Sequence, residues 1–331
     1  MKVCLAGRDP RHRGGVVVAL ERLAPALRAR GVAVDRWVIG REPGETSAYG
    51  AVLRTWRQRP PSDAHTLLHL NPSLRHRALL RDLALANLWP GPVVCWLHGW
   101  DPQVARAVGP NLGRLAPRVH WVALTQRQAG SLRGLGIEPI AVIGPPVPEL
   151  DPGSPGGRHL CFVGRLCESK GALAAARAVA RLAGEHPGLR LTMAGSGPQE
   201  AAIRELAQQG APIHLAGSLA NEDVFTLMAT ASALVLPSRA EGLSLAVLEA
   251  ASAGLPVLCT DVGGLHDWLA PEGCVPIAAP DEQATAAAIA TWLARGDANE
   301  RGGGANRARA EAQAPRHVAA AFHVVYEALL A

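Results

Sequence analysis

A chain of 331 residues with 48% hydrophobic and 18% charged residues can bury a sizeable core. That excludes a disordered chain, and the length makes two domains the natural expectation. The net charge of +5 hides an asymmetry: residues 1–150 carry 20 basic and 10 acidic side chains, residues 151–331 carry 13 and 18. The basic half lacks a compact Lys/Arg block interleaved with aromatics, which argues against nucleic acid and leaves an anionic membrane surface, an acidic substrate or simply a solvated basic face.

In chain order, the opening MKVCLAGRDP has too short an apolar run for a secretory signal. No stretch approaches the roughly 18 consecutive apolar residues of a bilayer span. The protein is therefore expected in the cytoplasm, with any membrane contact peripheral and at the inner face of the cytoplasmic membrane. Short apolar runs alternate with Ala/Leu/Arg-rich helical stretches, the pattern of parallel sheets built from βαβ units. In the first half strands are expected at 2–6, 34–39, 66–70, 93–97, 120–124 and 139–143, and the clearest helix, VVVALERLAPALRARG, stops at Gly31. Residues 144–158, GPPVPELDPGSPGGR, are crowded with Pro and Gly and cannot continue a helix or a central strand. The alternation restarts with strands expected at 159–164, 189–195, 213–217, 233–237 and 256–260. The tail HVAAAFHVVYEALLA has apolar residues at helical spacing. Domains are thus expected at 1–148 and 159–312, with a linker at 149–158 and a terminal helix at 313–331 packing back on the first domain. The six cysteines, Cys4, Cys95, Cys161, Cys167, Cys259 and Cys274, form no C-x-x-C pair and read as small core fillers of a reducing compartment.

Ligands of α/β domains bind at the carboxyl ends of the strands, and the motifs of the second half fall there. In GRLCESKG (164–171) a strand ends in a loop carrying Arg165 and Lys170, followed by a helix start. Lys2 and Lys170 are the chain's two lysines, every other cation being arginine. A guanidinium and an ammonium beside the partial positive charge of a helix start suit a diphosphate; taken alone, the two cations also fit a solvated loop. In AGSGP, Gly195, Ser196 and Gly197 form a second strand–glycine–helix junction, but the third glycine of the dinucleotide fingerprint is absent. That loop either lies near phosphate or simply turns the chain. In EGLSLAVLE (241–249) Glu249 follows Glu241 by eight residues, just over two helical turns, so both lie on roughly the same side. Such carboxylates accept hydrogen bonds from sugar and ribose hydroxyls, or else cap and brace a helix. In the first half Gly14 and Gly15 allow close backbone approach after the first strand, and His98, His69 and Asn71 end strands. Among the tryptophans only Trp56, Trp89 and Trp100 lie near loops, where they would be free to stack on a sugar; core packing accounts for the rest.

Together, in this order and on these elements, the motifs resemble the retaining glycosyltransferases of family 4. The resemblance implies an α/β, GT-B fold, with two Rossmann-like domains facing each other across a cleft. It implies a nucleotide-sugar-binding second domain and an acceptor-binding first domain, and extends most strongly over residues 159–265. Residue by residue, Arg165 and Lys170 would hold the donor diphosphate, Glu249 the ribose hydroxyls, and Glu241 the donor sugar. The backbone N–H groups of Gly242, Leu243 and Ser244 would approach phosphate and sugar. Gly164, Ser196 and Gly197 would line the donor, Leu219 would meet the base, Gly14 and Gly15 would lie beside donor and acceptor, and His98 would point at the sugar.

The expected activity is transfer of a sugar from a nucleotide diphosphate sugar, UDP- or GDP-linked, to an acceptor hydroxyl with retention. The setting would be bacterial polysaccharide, lipopolysaccharide or glycolipid synthesis. No metal is expected, since no D-x-D or His/Asp/Glu cluster is written in the chain. No further cofactor is expected, and the partners would be the donor and a glycan or lipid-linked acceptor. A nucleotide-sugar epimerase of the same fold would use the same pocket without an acceptor, and a non-catalytic nucleotide-sugar-binding subunit has no reason to keep all four of Arg165, Lys170, Glu241 and Glu249.

Overall fold

The computed structural model describes residues 1–9, 14–39, 48–72, 76–98, 117–153, 157–241 and 244–331. The chain divides into two compact units, residues 1–146 with 313–331, and residues 147–312.

The first unit is built on a six-stranded sheet ordered β2-β1-β3-β4-β5-β6, with every pairing parallel. Its strands are β1 (Lys2–Gly7), β2 (Ala33–Val38), β3 (Thr66–Leu70), β4 (Val93–Trp96), β5 (Val119–Ala123) and β6 (Ala141–Val142). These sit within a residue or two of the expected runs because a sheet covered on both faces needs apolar residues on both, giving continuous runs. The helices are α1 (Gly15–Ala29), α2 (Ala48–Arg57), α3 (His76–Leu88) and α4 (Gln126–Arg133). Helix α1 buries Val17, Leu20, Leu23, Ala24 and Leu27 at helical spacing and is followed by Gly31 in the left-handed region at φ 80°. Trp89 is fully buried, donates from Nε1 to Thr66 O at 2.8 Å, and stacks on Trp37 at 5.7 Å. It is a core residue, not a loop platform for a sugar: its indole fills the space under β3 and its one polar atom is satisfied there.

The second unit carries a second parallel sheet, ordered β12-β11-β10-β7-β8-β9. Its strands are β7 (His159–Val163), β8 (Arg190–Ala194), β9 (Ile213–Gly217), β10 (Ala233–Leu236), β11 (Val257–Cys259) and β12 (Cys274–Pro276). The helices are α5 (Ala172–Leu182), α6 (Glu200–Gln208), α7 (Asn221–Thr230), α8 (Leu245–Ser252), α9 (Glu282–Ala294) and α10 (Ala298–Glu311). Strand order runs outward from β7 to β9, then returns to the centre and runs outward from β10 to β12. The reversal between β7 and β10 is the topological switch point of a Rossmann-like sheet, where two loops diverge and leave a crevice. Residues 147–148, expected in the first domain, and 149–153, expected in the linker, belong to this unit: Ser252 Oγ donates to Pro148 O at 2.6 Å and Gly153 N to Ala253 O at 2.7 Å.

Helix α11 (Pro315–Leu330) returns to the first unit, burying Val318, Ala319, Phe322 and Tyr326. It packs along α1, and the Tyr326 hydroxyl pairs with His69 Nδ1. Phe322 meets the edge of Trp96 at 4.9 Å. Among the described residues no helix is long and apolar enough to cross a membrane.

Candidate functional site

The switch point of the second sheet brings together the loop after β7 and the loop after β10. After β7 the chain turns through a short 3-10 segment, Glu168–Lys170, and Gly171 at φ 67° starts α5. A Cβ on Gly171 would stand 2.1 Å from Pro237 O, so only glycine lets this loop lie on the end of β10. The contact delivers Lys170 to Glu241: its Nζ donates to both carboxylate oxygens at 2.6 Å. Glu241 is 3% exposed in its side chain and Lys170 26%. Ser238 Oγ donates to the same carboxylate at 2.7 Å, and Thr260 Oγ1 holds the Ser238 carbonyl at 2.6 Å. Arg165, one step beyond Gly164 on the same loop, is exposed and has no ion-pair partner among the described residues. The crevice thus holds one cation already compensated by a buried carboxylate and a second open to solvent.

The glycine loop after β8 has a packing reason for its composition. A Cβ on Gly195 would come within 1.9 Å of Gly164 O, and one on Gly197 within 2.5 Å of Leu166 O. Backbone bonds lace the two loops, Gly164 N to Ala194 O at 3.0 Å and Leu166 N to Ser196 O at 2.9 Å. Close approach of loop to loop accounts for the glycines. Ser196 is exposed, with Ser218 Oγ donating to its Oγ at 3.2 Å. Leu219, half-buried between β9 and α7, rests against the core of the unit. Ser244 is buried at the start of α8 in an extended conformation, and Glu249 is buried on the second turn of that helix. Gly242 and Leu243 lie outside the described residues.

In the first unit Gly14 precedes α1 in extended backbone, and Gly15 is its first residue. A Cβ on Gly14 would meet nothing within 4 Å, so packing of the described chain does not demand glycine there. His98 follows β4 and is 5% exposed, with Nε2 at 3.1 Å from Asn71 Oδ1. A carboxamide oxygen only accepts, so Nε2 carries the proton, while Asn71 Nδ2 donates to Ala6 O at 2.9 Å. Burial pushes the His98 pKa down to about 3. Its imidazole is therefore neutral at physiological pH. His69 is fully buried and held at about 3, first by burial and then by the neighbouring His98. With its ring packed by Trp96, Phe322 and Tyr326, it is part of the core. Arg11, His12, Arg13 and Trp100 lie outside the described residues.

Sequence reading missed the support of Glu241. Ser238, past the end of β10, donates to its carboxylate, Thr260, past the end of β11, braces the Ser238 carbonyl, and Gly263 at φ 65° is needed because a Cβ there would stand 2.3 Å from Glu241 O. The Gly-Gly pair after β11 was the one available signal.

Residues 157–295 match the family described as glycosyl transferases group 1. Over 239 residues the chain is 30% identical to glycogen synthase of Mycobacterium tuberculosis, an alignment covering 65% of this chain and 55% of that protein. The chain thus spans about half the length of that relative. Sucrose-phosphate synthase of Thermosynechococcus elongatus has the same fold across 99% of this chain and 98% of its own, with a TM-score of 0.76 at 18% identity. The Anabaena protein Alr3699/HepE, solved in complex with UDP-glucose, covers 99% of this chain and 100% of its own with a TM-score of 0.72 at 17% identity. The chain therefore has the GT-B architecture of two Rossmann-like units, and its second unit carries the signature of the group 1 glycosyl transferase family.

Proposed function

We propose that the protein is a retaining glycosyltransferase, moving a sugar from a nucleoside diphosphate sugar to an acceptor hydroxyl. The observation that carries the reading is the Lys170–Glu241 pair at the carboxyl ends of β7 and β10, with the exposed Arg165 beside it. A buried carboxylate holds the ammonium in place while the guanidinium is open to bind two phosphate oxygens at once. The start of α5 adds its partial positive charge. Arg165 and Lys170 take the negative charge that builds on the leaving diphosphate, which is the largest electrostatic demand of the reaction. Glu241 then has its sugar-facing role only after Lys170 has turned toward phosphate. Glu249 holds the ribose, Gly164, Ser196 and Gly197 line the donor, Leu219 meets the base, and the backbone of Gly242, Leu243 and Ser244 approaches the sugar.

The acceptor attacks from the face the diphosphate leaves, with the departing phosphate as base. His98, neutral, orients the sugar, and Gly14 and Gly15 leave room for donor and acceptor. Because two side-chain cations serve the diphosphate, turnover is expected to be unchanged when magnesium and manganese are omitted. The UDP-glucose complex of the structural neighbour supports a UDP-linked donor, with GDP as the second candidate. The basic first half supports an anionic, lipid-linked or phosphorylated glycan acceptor at the cytoplasmic face of a membrane, in surface polysaccharide or glycolipid synthesis.

A thermal-shift series with UDP, GDP and their sugars tests the donor site, a ligand at 100 times its Kd adding about 2.7 kcal/mol. If no nucleoside diphosphate raises the melting temperature, the reading is lost. An α-linked donor giving an α-linked product by NMR supports retention, and a β-linked product rules it out. Flotation with liposomes tests the membrane part, which fails if anionic lipid makes no difference.

A further inference from the structure

The second unit holds a cluster of soft ligands that the transfer reaction does not use. A sulfur of Cys259, a sulfur of Cys274 and a ring nitrogen of His266 lie within 4.8 Å of one another. Cys259 ends β11 and Cys274 begins β12, while His266 comes from the 3-10 turn Leu265–Trp268 in the connection between those strands. Register explains how the two cysteines meet. Cys259 pairs with Pro276, so Cys274 stands two residues back on the neighbouring strand and points to the same face. That diagonal separates the Cα atoms by about 8 Å, from two residues of rise and one strand spacing. A disulfide needs less than about 7 Å, so the pair is poorly placed to bridge directly and well placed to share an ion.

The histidine is oriented for ligation. Its Nε2 lies 3.1 Å from Cys259 O. A carbonyl oxygen only accepts, so Nε2 carries a proton and Nδ1 is the ring atom left to bind a metal in exchange for its own proton, the arrangement by which metal-bound imidazoles are usually held. Asp261 Oδ1 is 4.0 Å from that Nδ1. Both cysteines are buried, whereas His266 and Asp261 keep 26% and 39% of their side chains exposed, which leaves a path for entry. An ideal tetrahedral site, with Zn–S of about 2.3 Å and Zn–N of about 2.0–2.1 Å, sets its donors roughly 3.5–3.8 Å apart. Donors at 4.8 Å need to close by about 1.0–1.3 Å, within reach of side-chain rotation. Two thiolates and a divalent cation sum to zero charge, which suits the half-buried position better than bare thiolates would.

We propose that Cys259, Cys274 and His266 form a zinc site, with Asp261 or water in the fourth position, that clamps the connection between β11 and β12. Zinc follows from the donor set: two thiolates and an imidazole suit this borderline-soft cation. The clamp acts on the same connection whose Gly263 backs the Glu241 carbonyl. The ion is structural, so this proposal stands independently of the transfer chemistry.

The test uses the full chain, reduced and stripped with a chelator, then titrated with cobalt(II) as an optical substitute for zinc. Expected are one cobalt per chain, tetrahedral d–d bands and a thiolate-to-cobalt charge-transfer band, all displaced by zinc. Cys274→Ser and His266→Ala should each weaken binding tenfold or more, while Cys161→Ala, in the core away from the cluster, should not. Native mass spectrometry of the unmodified chain titrated with zinc alone should show one bound ion, and this needs no variant to fold. Absence of the charge-transfer band in the reduced chain, unchanged affinity in both cluster variants, or no zinc adduct would each overturn the proposal.

Discussion

Lys170 gives its ammonium to both oxygens of one carboxylate at 2.6 Å, and that carboxylate is almost wholly buried. Removing the lysine leaves Glu241 with only the Ser238 hydroxyl among the described residues. A buried charge stripped of its partner costs about 3–5 kcal/mol, whereas removing both charges together is close to neutral. Lys170→Ala should therefore lower stability by about 3 kcal/mol and, separately, lower donor binding or turnover tenfold or more, about 1.4 kcal/mol. The double variant Lys170→Met with Glu241→Gln should recover most of the stability and none of the activity. Guanidinium melts and initial rates on the same preparations separate the two effects, and a double variant as unstable as the single would dissolve the pair as a unit. Lys170→Arg keeps a cation on the carboxylate, now as a guanidinium fork, and hence the stability. A large loss of turnover there would show that a compact ammonium on a flexible stem is what the diphosphate needs. Glu249→Ala, tested in the same assay, should also lose at least tenfold if that carboxylate holds ribose.

At the scale of elements, α10 runs through three consecutive glycines, Gly302, Gly303 and Gly304, which on propensity alone would break it. Two of them are demanded by contact. A Cβ on Gly303 would stand 2.0 Å from Gly254 O, and one on Gly302 would stand 2.3 Å from Glu272 O. Asn306, one turn on, donates to Leu255 O and Gly273 O and accepts from Ala270 N, tying the helix to the loops flanking β11 and β12. Gly304 faces open space. Adjacent glycines should therefore answer alanine with opposite signs. Gly304→Ala should stabilise by about 0.8–1 kcal/mol, its helix-propensity gain. Gly303→Ala should destabilise by about 1–3 kcal/mol through overpacking against backbone that cannot give. Urea titrations decide it, and two changes of the same sign would contradict the packing.

The same contrast marks what the sequence made legible. Eleven strands were readable, the inner ones because a strand buried on both faces writes its apolar run contiguously, and the half-buried edge strands β2, β6 and β9 through shorter apolar runs. Strand β12 was not, since three residues ending in proline carry no period. In the site, Arg165, Lys170 and the spacing from Glu241 to Glu249 were legible because each motif lies on one loop or helix. The roles of Ser238 and Thr260 were illegible, because these residues follow β10 and β11, strand ends that only sheet pairing brings together, and the Gly263–Gly264 pair alone hinted at the close approach. The cluster of Cys259, His266 and Cys274 escaped for the same reason, its spacing matching no contiguous motif.

For the molecule as a whole, the two units are expected to differ in how acid unfolds them. His69 and His98 both belong to the first unit, and burial holds each near a pKa of about 3. They are faced by Asn71, Tyr326, Trp96, Phe322 and each other, with the Arg36 charge also felt at His69. No group among these is a carboxylate that would welcome a proton, and His69 Nε2 has no hydrogen-bond partner. An unfolded histidine takes its proton near pH 6.5, a folded one here only near 3. Across that window the unfolded chain binds protons that the folded chain refuses. The contribution is whole above about 6.5 and drains as pH falls toward 3, at up to about 1.4 kcal/mol per pH unit for each histidine. Of the eight tryptophans, Trp37, Trp56, Trp89, Trp96, Trp100 and Trp121 lie in residues 1–146 and only Trp268 and Trp292 in the second unit. Intrinsic fluorescence therefore reports chiefly on the unit that holds both histidines. Guanidinium titrations followed by tryptophan emission should show stability falling steeply from about pH 6.5 to about pH 5. His69→Gln can keep a hydrogen bond to Tyr326 while removing one titration, so it should cut that slope by about half. An unchanged slope would mean that the acid limb arises elsewhere and that the aromatic floor under α11 tolerates a charged imidazole.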